Sequence, residues 1–254
     1  MRLSVRSIIP MLLIYGMLIG VAFGAPINFK LDHYVINIGA FYNGTTVNIK
    51  GQVPSDAEVV IRITGHPEEL ALKKKGKIGG LLWMNVKDIT FYNVPNVYMI
   101  YASKGADKWL PDENLPFTFA ALKQRVKIEP EDEDKNFLYG EFLKLKRKEH
   151  TYAEFASSVQ FMNDDGKNKE FEATLSVPPK MKKGEYSVDV FALRNGEIIG
   201  NGSTKLKICY VGFPGLLDQL AFQHSLIYGI LAVLIAIGAG LVIGAIFKDK
   251  GGSH

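Results

Sequence analysis

A single cysteine, Cys209, stands in 254 residues, so no disulfide can close within the chain and the fold must rest on its apolar core. Leu206, Ile208 and Val211 around it mark a buried thiol in preference to a reactive one. Catalytic signatures are equally scarce. There is no Cys-x-x-Cys-His for covalent haem, no Gly-x-Ser-x-Gly elbow, no Walker loop and no His-Glu-x-x-His. His33, His66, His150, His224 and His254 are too dispersed for a metal-ligand spacing, and His66 beside Pro67 reads as a turn residue. The pairs Glu68-Glu69 and Asp164-Asp165 lie in charged, turn-like surroundings, where solvated surface is far commoner than acid–base work. No catalytic residue, metal site or cofactor is expected. The net charge of +4 falls to +2 without Arg2 and Arg6, which excludes the basic footprint of a nucleic-acid binder.

What the chain does have is one long uncharged run, Leu226 to Phe247. As a helix rising about 1.5 Å per residue it covers roughly 33 Å, enough to cross a bilayer core. Lys248 and Lys250 follow it. At the other end Arg2 and Arg6 precede an apolar stretch, and Ala22 and Gly24 stand where a signal peptidase would read, so residues 1–24 are expected to be a signal peptide. The basic flanks place residues 25–223 outside the cytoplasm and the tail, 248–254, inside.

Between these ends, residues 25–103 read as a β-sandwich domain. Tyr34, Ile36 and Ile38 alternate with polar or small neighbours, Val47 and Ile49 do so after Asn43-Gly44, and that dipeptide predicts a hairpin. Val59–Ile63, Leu70–Lys74, Leu81–Met84, Ile89–Phe91 and Val97–Ala102 supply further short strands. Their count and spacing suggest an immunoglobulin-like fold. Residues 104–156 are helical: Phe119, Leu122 and Val126, then Phe137, Leu138, Phe142 and Leu145, keep a helical period on either side of the acidic run 129–134. Lys144, Lys146, Arg147 and Lys148 suit the second helix's C-terminus as solvated charge, ahead of a lipid-headgroup site. Alternation returns over 157–210, with Asn195-Gly196 as another hairpin turn. These strands either form a small second domain or complete the first sheet. Residues 211–225 connect to the span, with Phe213, Leu216, Leu217, Leu220 and Phe222 suited to a membrane interface.

Three groups of residues are candidates for contact. Ala232, Ala236, Gly240 and Gly244 recur every four residues in the span, a ridge that lets a second helix approach closely. His224 and Tyr228, one turn apart at the outer interface, read first as interfacial belt residues and second as contacts to a membrane partner. Trp83 and Tyr98 are either strand core or a binding face, core being the commoner fate of strand aromatics.

Gly80-Leu81-Leu82-Trp83-Met84-Asn85, Phe91-Tyr92-Asn93-Val94-Pro95-Asn96-Val97-Tyr98, Gly184-Glu185-Tyr186-Ser187-Val188-Asp189-Val190, Arg194-Asn195-Gly196 and the juxtamembrane stretch from Phe222 to Gly229 occur in a fixed order across the mature chain. Together they resemble the Alph_Pro_TM family of transmembrane proteins, first described from Alphaproteobacteria. The resemblance implies a bacterial inner-membrane protein with one span and a periplasmic domain, without an assigned activity, and an integral membrane partner of the sulfite-exporter-like permease type. Two function classes follow. One is a non-enzymatic accessory or assembly subunit that docks onto an integral membrane transporter or complex. The other is a module that binds an extracytoplasmic solute or envelope polymer.

Overall fold

A computed structural model of the protein describes residues 25–248. The expected signal peptide, residues 1–24, and the tail beyond residue 248 lie outside the described residues. The chain opens with β1 (Ala25–Pro26), β2 (Phe29–Leu31), β3 (Val35–Ile38), β4 (Thr45–Pro54) and β5 (Glu58–Thr64). Then come β6 (Pro67–Ile78), β7 (Leu82–Pro95) and β8 (Tyr98–Ser103). A short 3-10 turn at Ala106–Trp109 leads to α1 (Phe119–Arg125), β9 (Lys127–Glu129) and α2 (Lys135–Lys148). The strands β10 (Tyr152–Asp164), β11 (Asn168–Val177), β12 (Gly184–Arg194) and β13 (Glu197–Tyr210) precede α3 (Gly212–Gln223) and α4 (Ser225–Lys248).

Ten strands share one sheet in the order β1-β13-β12-β5-β8-β10-β11-β4-β2, with β3 also on β13. Its two ends are tied by one short segment. β1 lies parallel to β13, and β2, just beyond it, lies antiparallel to β4. Ile27 N–H donates to the Asn201 carbonyl at 3.1 Å, and Gln52 N–H donates to the Asn28 carbonyl at 3.2 Å. The sheet therefore curls, and residues 25–31 cover edges that would otherwise offer unpaired backbone groups. Glycine permits the closure: a Cβ at Gly202 would stand 2.6 Å from the Ile27 carbonyl oxygen. The mainly β expectation is met. The immunoglobulin-like frame inferred from strand count finds no support in this single curled path.

Strands from both ends of the sequence are interleaved, since β11 pairs with β4 and β12 with β5. The helical segment has a topological reason. β8 and β10 are parallel neighbours, and parallel strands need a long crossover. Asp134 starts α2 as its N-cap, its carboxylate accepting from the Asn136 and Phe137 N–H groups at 2.9 and 3.1 Å. Asn195-Gly196 makes the expected β12–β13 turn with both residues at positive φ. The hairpin predicted at Asn43-Gly44 does not form. Only Gly44 of that pair has positive φ, and β3 is drawn to β13 instead of β4.

Two cores result. Val59, Ile61 and Ile63 of β5 point into the curl with Ile49, Tyr101, Phe171, Val188 and Leu206. Val60, Ile100 and Phe191 point out and are covered by Phe117, Phe119, Phe142 and Phe91 from the helical segment and β7. Strands β5, β8 and β12 are thus buried on both faces, which is why they read as near-continuous apolar runs. On the outer face Arg62 pairs with Asp189 at 2.6 Å and donates to the Pro116 carbonyl at 2.9 Å, pinning the crossover to the sheet.

Candidate functional site

The end of the sheet that feeds the apolar helix carries most of the unusual chemistry. β13 passes into α3 through Gly212, at φ +62°, while Val211 N–H donates to the Ile38 carbonyl at 3.0 Å. At 100° per residue, Phe213, Leu216, Leu217 and Leu220 of α3 form one stripe, and Asp218 lies on the other side. Asp218 takes Lys183 at 2.6 Å, a bond that raises the lysine's pKa above its ordinary value. The neighbouring Lys182 turns to Glu68 at the base of β6, also at 2.6 Å. Glu68 in turn holds Lys146 of α2 at 3.1 Å. Burial pushes the Glu68 carboxyl up, but Lys182 and Lys146 outweigh it and hold the group below the usual carboxylate value. Lys146 itself is buried, its ammonium 5.8 Å from the centre of the Tyr152 ring. Two adjacent lysines therefore fasten the β6–β7 base, α2 and the juxtamembrane helix into one latch.

His224 caps α3 and marks the break before α4: its N–H donates to Leu220 and its carbonyl accepts from Tyr228 N–H at 3.0 Å. Both residues are exposed. Ser225–Phe247 is the one helix among the described residues long and apolar enough to cross a membrane. On it Ala232, Ala236, Gly240 and Gly244 are all exposed, and a Cβ at Gly240 or Gly244 would meet no atom of this chain within 4 Å.

Trp83 and Tyr98 do not share a face. Tyr98 is in the outer core between Phe119 and Tyr152, because every residue of β8 is buried. Trp83 is 66% exposed near the tip of a hairpin much longer than the sequence suggests. Leu70–Lys74 lies in β6, Ile89–Phe91 in β7, and Leu81–Met84 runs from the tip of the turn into β7; the two strands pair from Pro67↔Pro95 to Ile78↔Leu82. The base is clamped by β9 and by Lys74 and Lys87, which pair with Glu133 and Asp132. Beyond that clamp the two faces of the hairpin diverge. The pairs Ile78↔Leu82 and Gly76↔Met84 occupy one face, where Val86 lies over Gly76; Lys77↔Trp83 and Lys75↔Asn85 occupy the other.

A groove of about 800 Å³ lies across β2, β4 and the β10–β11 hairpin. Phe29, Leu31, Phe171 and Met162 line it, and Lys50 and Glu172, paired at 3.1 Å, stand on its rim. Elsewhere the paired carboxylates serve structure. Asp164 accepts from Ser55 and Gly166, and Asp165 from the Lys167 and Asn168 N–H groups, which shapes the β10–β11 turn. No cluster of three or more His, Cys, Asp or Glu suited to a metal occurs among the described residues. Cys209 is half-buried. Sequence reasoning missed the latch, whose only local signal is the basic run Lys180, Lys182, Lys183; it also took Lys146 for solvated charge.

Residues 26–249 match a family model described as "Putative transmembrane protein (Alph_Pro_TM)". No curated protein and no solved structure matches the chain.

Proposed function

Since the chain belongs to the Alph_Pro_TM family of transmembrane proteins, we propose that it is a non-enzymatic accessory or assembly subunit, held by α4 with its β domain outside the cytoplasm and docked to an integral membrane transporter or complex. The observation that carries this reading is the latch. Lys183 on Asp218, with Val211 on Ile38, ties α3 to the β domain, a restraint that a tethered capture module on a loose stalk would not need. A domain restrained in this way suits contact with a neighbour embedded in the same bilayer. The bacterial inner membrane, a periplasmic face and a sulfite-exporter-like permease as the neighbour belong to the same proposal and come from the family resemblance.

The small-residue ridge supplies a second contact. Helices in lipid associate by close packing, and Ala232, Ala236, Gly240 and Gly244 permit it. Mild-detergent purification from native membranes tests the proposal. The chain should co-purify with a stoichiometric integral membrane protein, and Gly240→Ile with Gly244→Ile should weaken that association while leaving insertion intact. Recovery as a partner-free chain would refute it.

The groove favours a second reading, an extracytoplasmic solute- or envelope-polymer-binding module. Its volume and its apolar floor under a charged rim suit a small molecule or a short polymer segment. Native mass spectra of the same preparation separate the two readings. A bound ligand that is lost in Met162→Arg supports the module, and its absence counts against it.

A further inference from the structure

The hairpin past its clamp presents a surface that neither reading uses. Ile78, Leu81, Leu82, Met84 and Val86 are all exposed, Leu81 at 87%, so beyond the Lys74↔Lys87 pair the face that begins as core at Leu70, Leu72, Ile89 and Phe91 is apolar again and lies in the open. Contiguous exposed apolar surface of this kind marks an interaction site. From Lys75 to Lys87 there is no acidic residue. Lys73, Lys74 and Lys87 have carboxylate partners, whereas Lys75 and Lys77 have none among the described residues. Lys77 instead lies 5.4 Å from the centre of the Trp83 ring. The distal hairpin is thus amphipathic, with aliphatic side chains on one face and an aromatic ring with uncompensated positive charge on the other.

We propose that this distal half of the β6–β7 hairpin docks on the bilayer that α4 crosses, with Ile78, Leu81, Leu82 and Met84 at the acyl boundary and Trp83, Lys75 and Lys77 among anionic headgroups. The chemistry matches the occupant: apolar residues beside lysines and a tryptophan are what a membrane interface takes from an amphipathic element. The distal part, Lys75 to Lys87, carries positive charge and no acid, which is complementary to anionic lipid. Position agrees as well. The hairpin leaves the sheet at Gly65-His66, where the His66 ring faces Gly184, and Gly184 pairs with Ile208 just before the chain enters α3. Its base is therefore at the anchored end, latched through Glu68 and Lys182 beside the Lys183–Asp218 bond. Strands rising about 3.3 Å per residue then carry the tip roughly 36 Å from that base. The domain would thereby rest on the membrane at two separated places, α3 and the hairpin tip, which fixes its rotation about α4.

The inference rests on α4 crossing the bilayer, so the test reports the two separately. Full-length protein carrying Cys209→Ser and Leu82→Cys is spin-labelled and reconstituted into vesicles of phosphatidylethanolamine with phosphatidylglycerol. The label at residue 82 should collide more with dissolved oxygen than with a water-soluble nickel chelate, the reverse of a label introduced by Phe41→Cys at a fully exposed loop position. Lys75→Glu with Lys77→Glu should lower the docked-to-undocked ratio by about fivefold per lysine, as should replacing the anionic lipid by phosphatidylcholine. Nickel-chelate access equal to that at residue 41 would overturn the docking. So would shielding from both reagents or spin–spin broadening between chains, since either means that protein covers the tip. A label introduced by Ile235→Cys in α4 reads the span itself, and water access there would bring down the anchor and the docking together.

Discussion

Lys146 is 5% exposed at its side chain, and Glu68, the carboxylate that makes this tolerable, is shared with Lys182. The sharing sets a sign for pH dependence. Because the folded protein holds the Glu68 carboxyl below its ordinary value, the ionised form is favoured by folding. That contribution is fully present above the unfolded carboxylate pKa of about 4.3 and is lost as pH falls through the lower folded value. Glu68→Gln removes it and leaves Lys146 buried without a countercharge. At neutral pH the variant should lose about 2–3 kcal/mol, less than the full cost of orphaning a buried charge because Glu68 is partly solvated. Denaturant melts of the full chain in detergent, run from neutral pH down into the carboxylate range, should show wild type and variant converging. A constant offset at all pH values would mean that ionisation of Glu68 contributes nothing to stability, and coincident curves that the latch contributes none.

At the scale of elements, the curl depends on how closely residues 25–31 approach β13. Gly202→Val would place a branched side chain against the Ile27 carbonyl and the Phe29 ring. Overpacking of this kind costs about 1–3 kcal/mol. Here the strain falls on one short segment, so the Ile27 amide, bonded to Asn201, should exchange with solvent faster while amides in the middle of β5 and β12 keep their protection. Uniform loss of protection would mean that the segment is part of the cooperative core and not a stitch upon it.

Which elements can be read from sequence follows from how local their causes are. Asn195-Gly196 is legible because both residues take positive φ for the turn itself, and α2 because Asp134 and the apolar period act within a few residues. Asn43-Gly44 misleads because the partner of β3 is β13, far along the chain. The β6–β7 hairpin reads as separate pieces because Lys73, Lys74, Lys75 and Lys77 interrupt the apolar alternation that would join them. Of the candidate site residues, the ridge of α4 and the His224–Tyr228 step are visible in sequence since helical spacing alone generates them. The latch is not, because Glu68, Lys146, Lys182 and Asp218 meet only in the folded chain.

For the whole molecule, every contact proposed outside the span has meaning on one side of the bilayer only. The stripe of α3, the hairpin tip and the groove all belong to residues 25–223, so one orientation decides which compartment can supply a partner. The positive-inside bias, with Lys248 and Lys250 after the span and Arg2 and Arg6 before the N-terminal apolar stretch, predicts that residues 25–223 lie outside the cytoplasm. Cleavage of the N-terminal stretch does not alter this, because a retained second span would enter from the same side. Protease added to intact spheroplasts should therefore digest the β domain and spare an epitope fused after residue 254. Digestion of the epitope with the domain protected would reverse the orientation, and with it the assignment of the groove, the hairpin and the latch to the outer face.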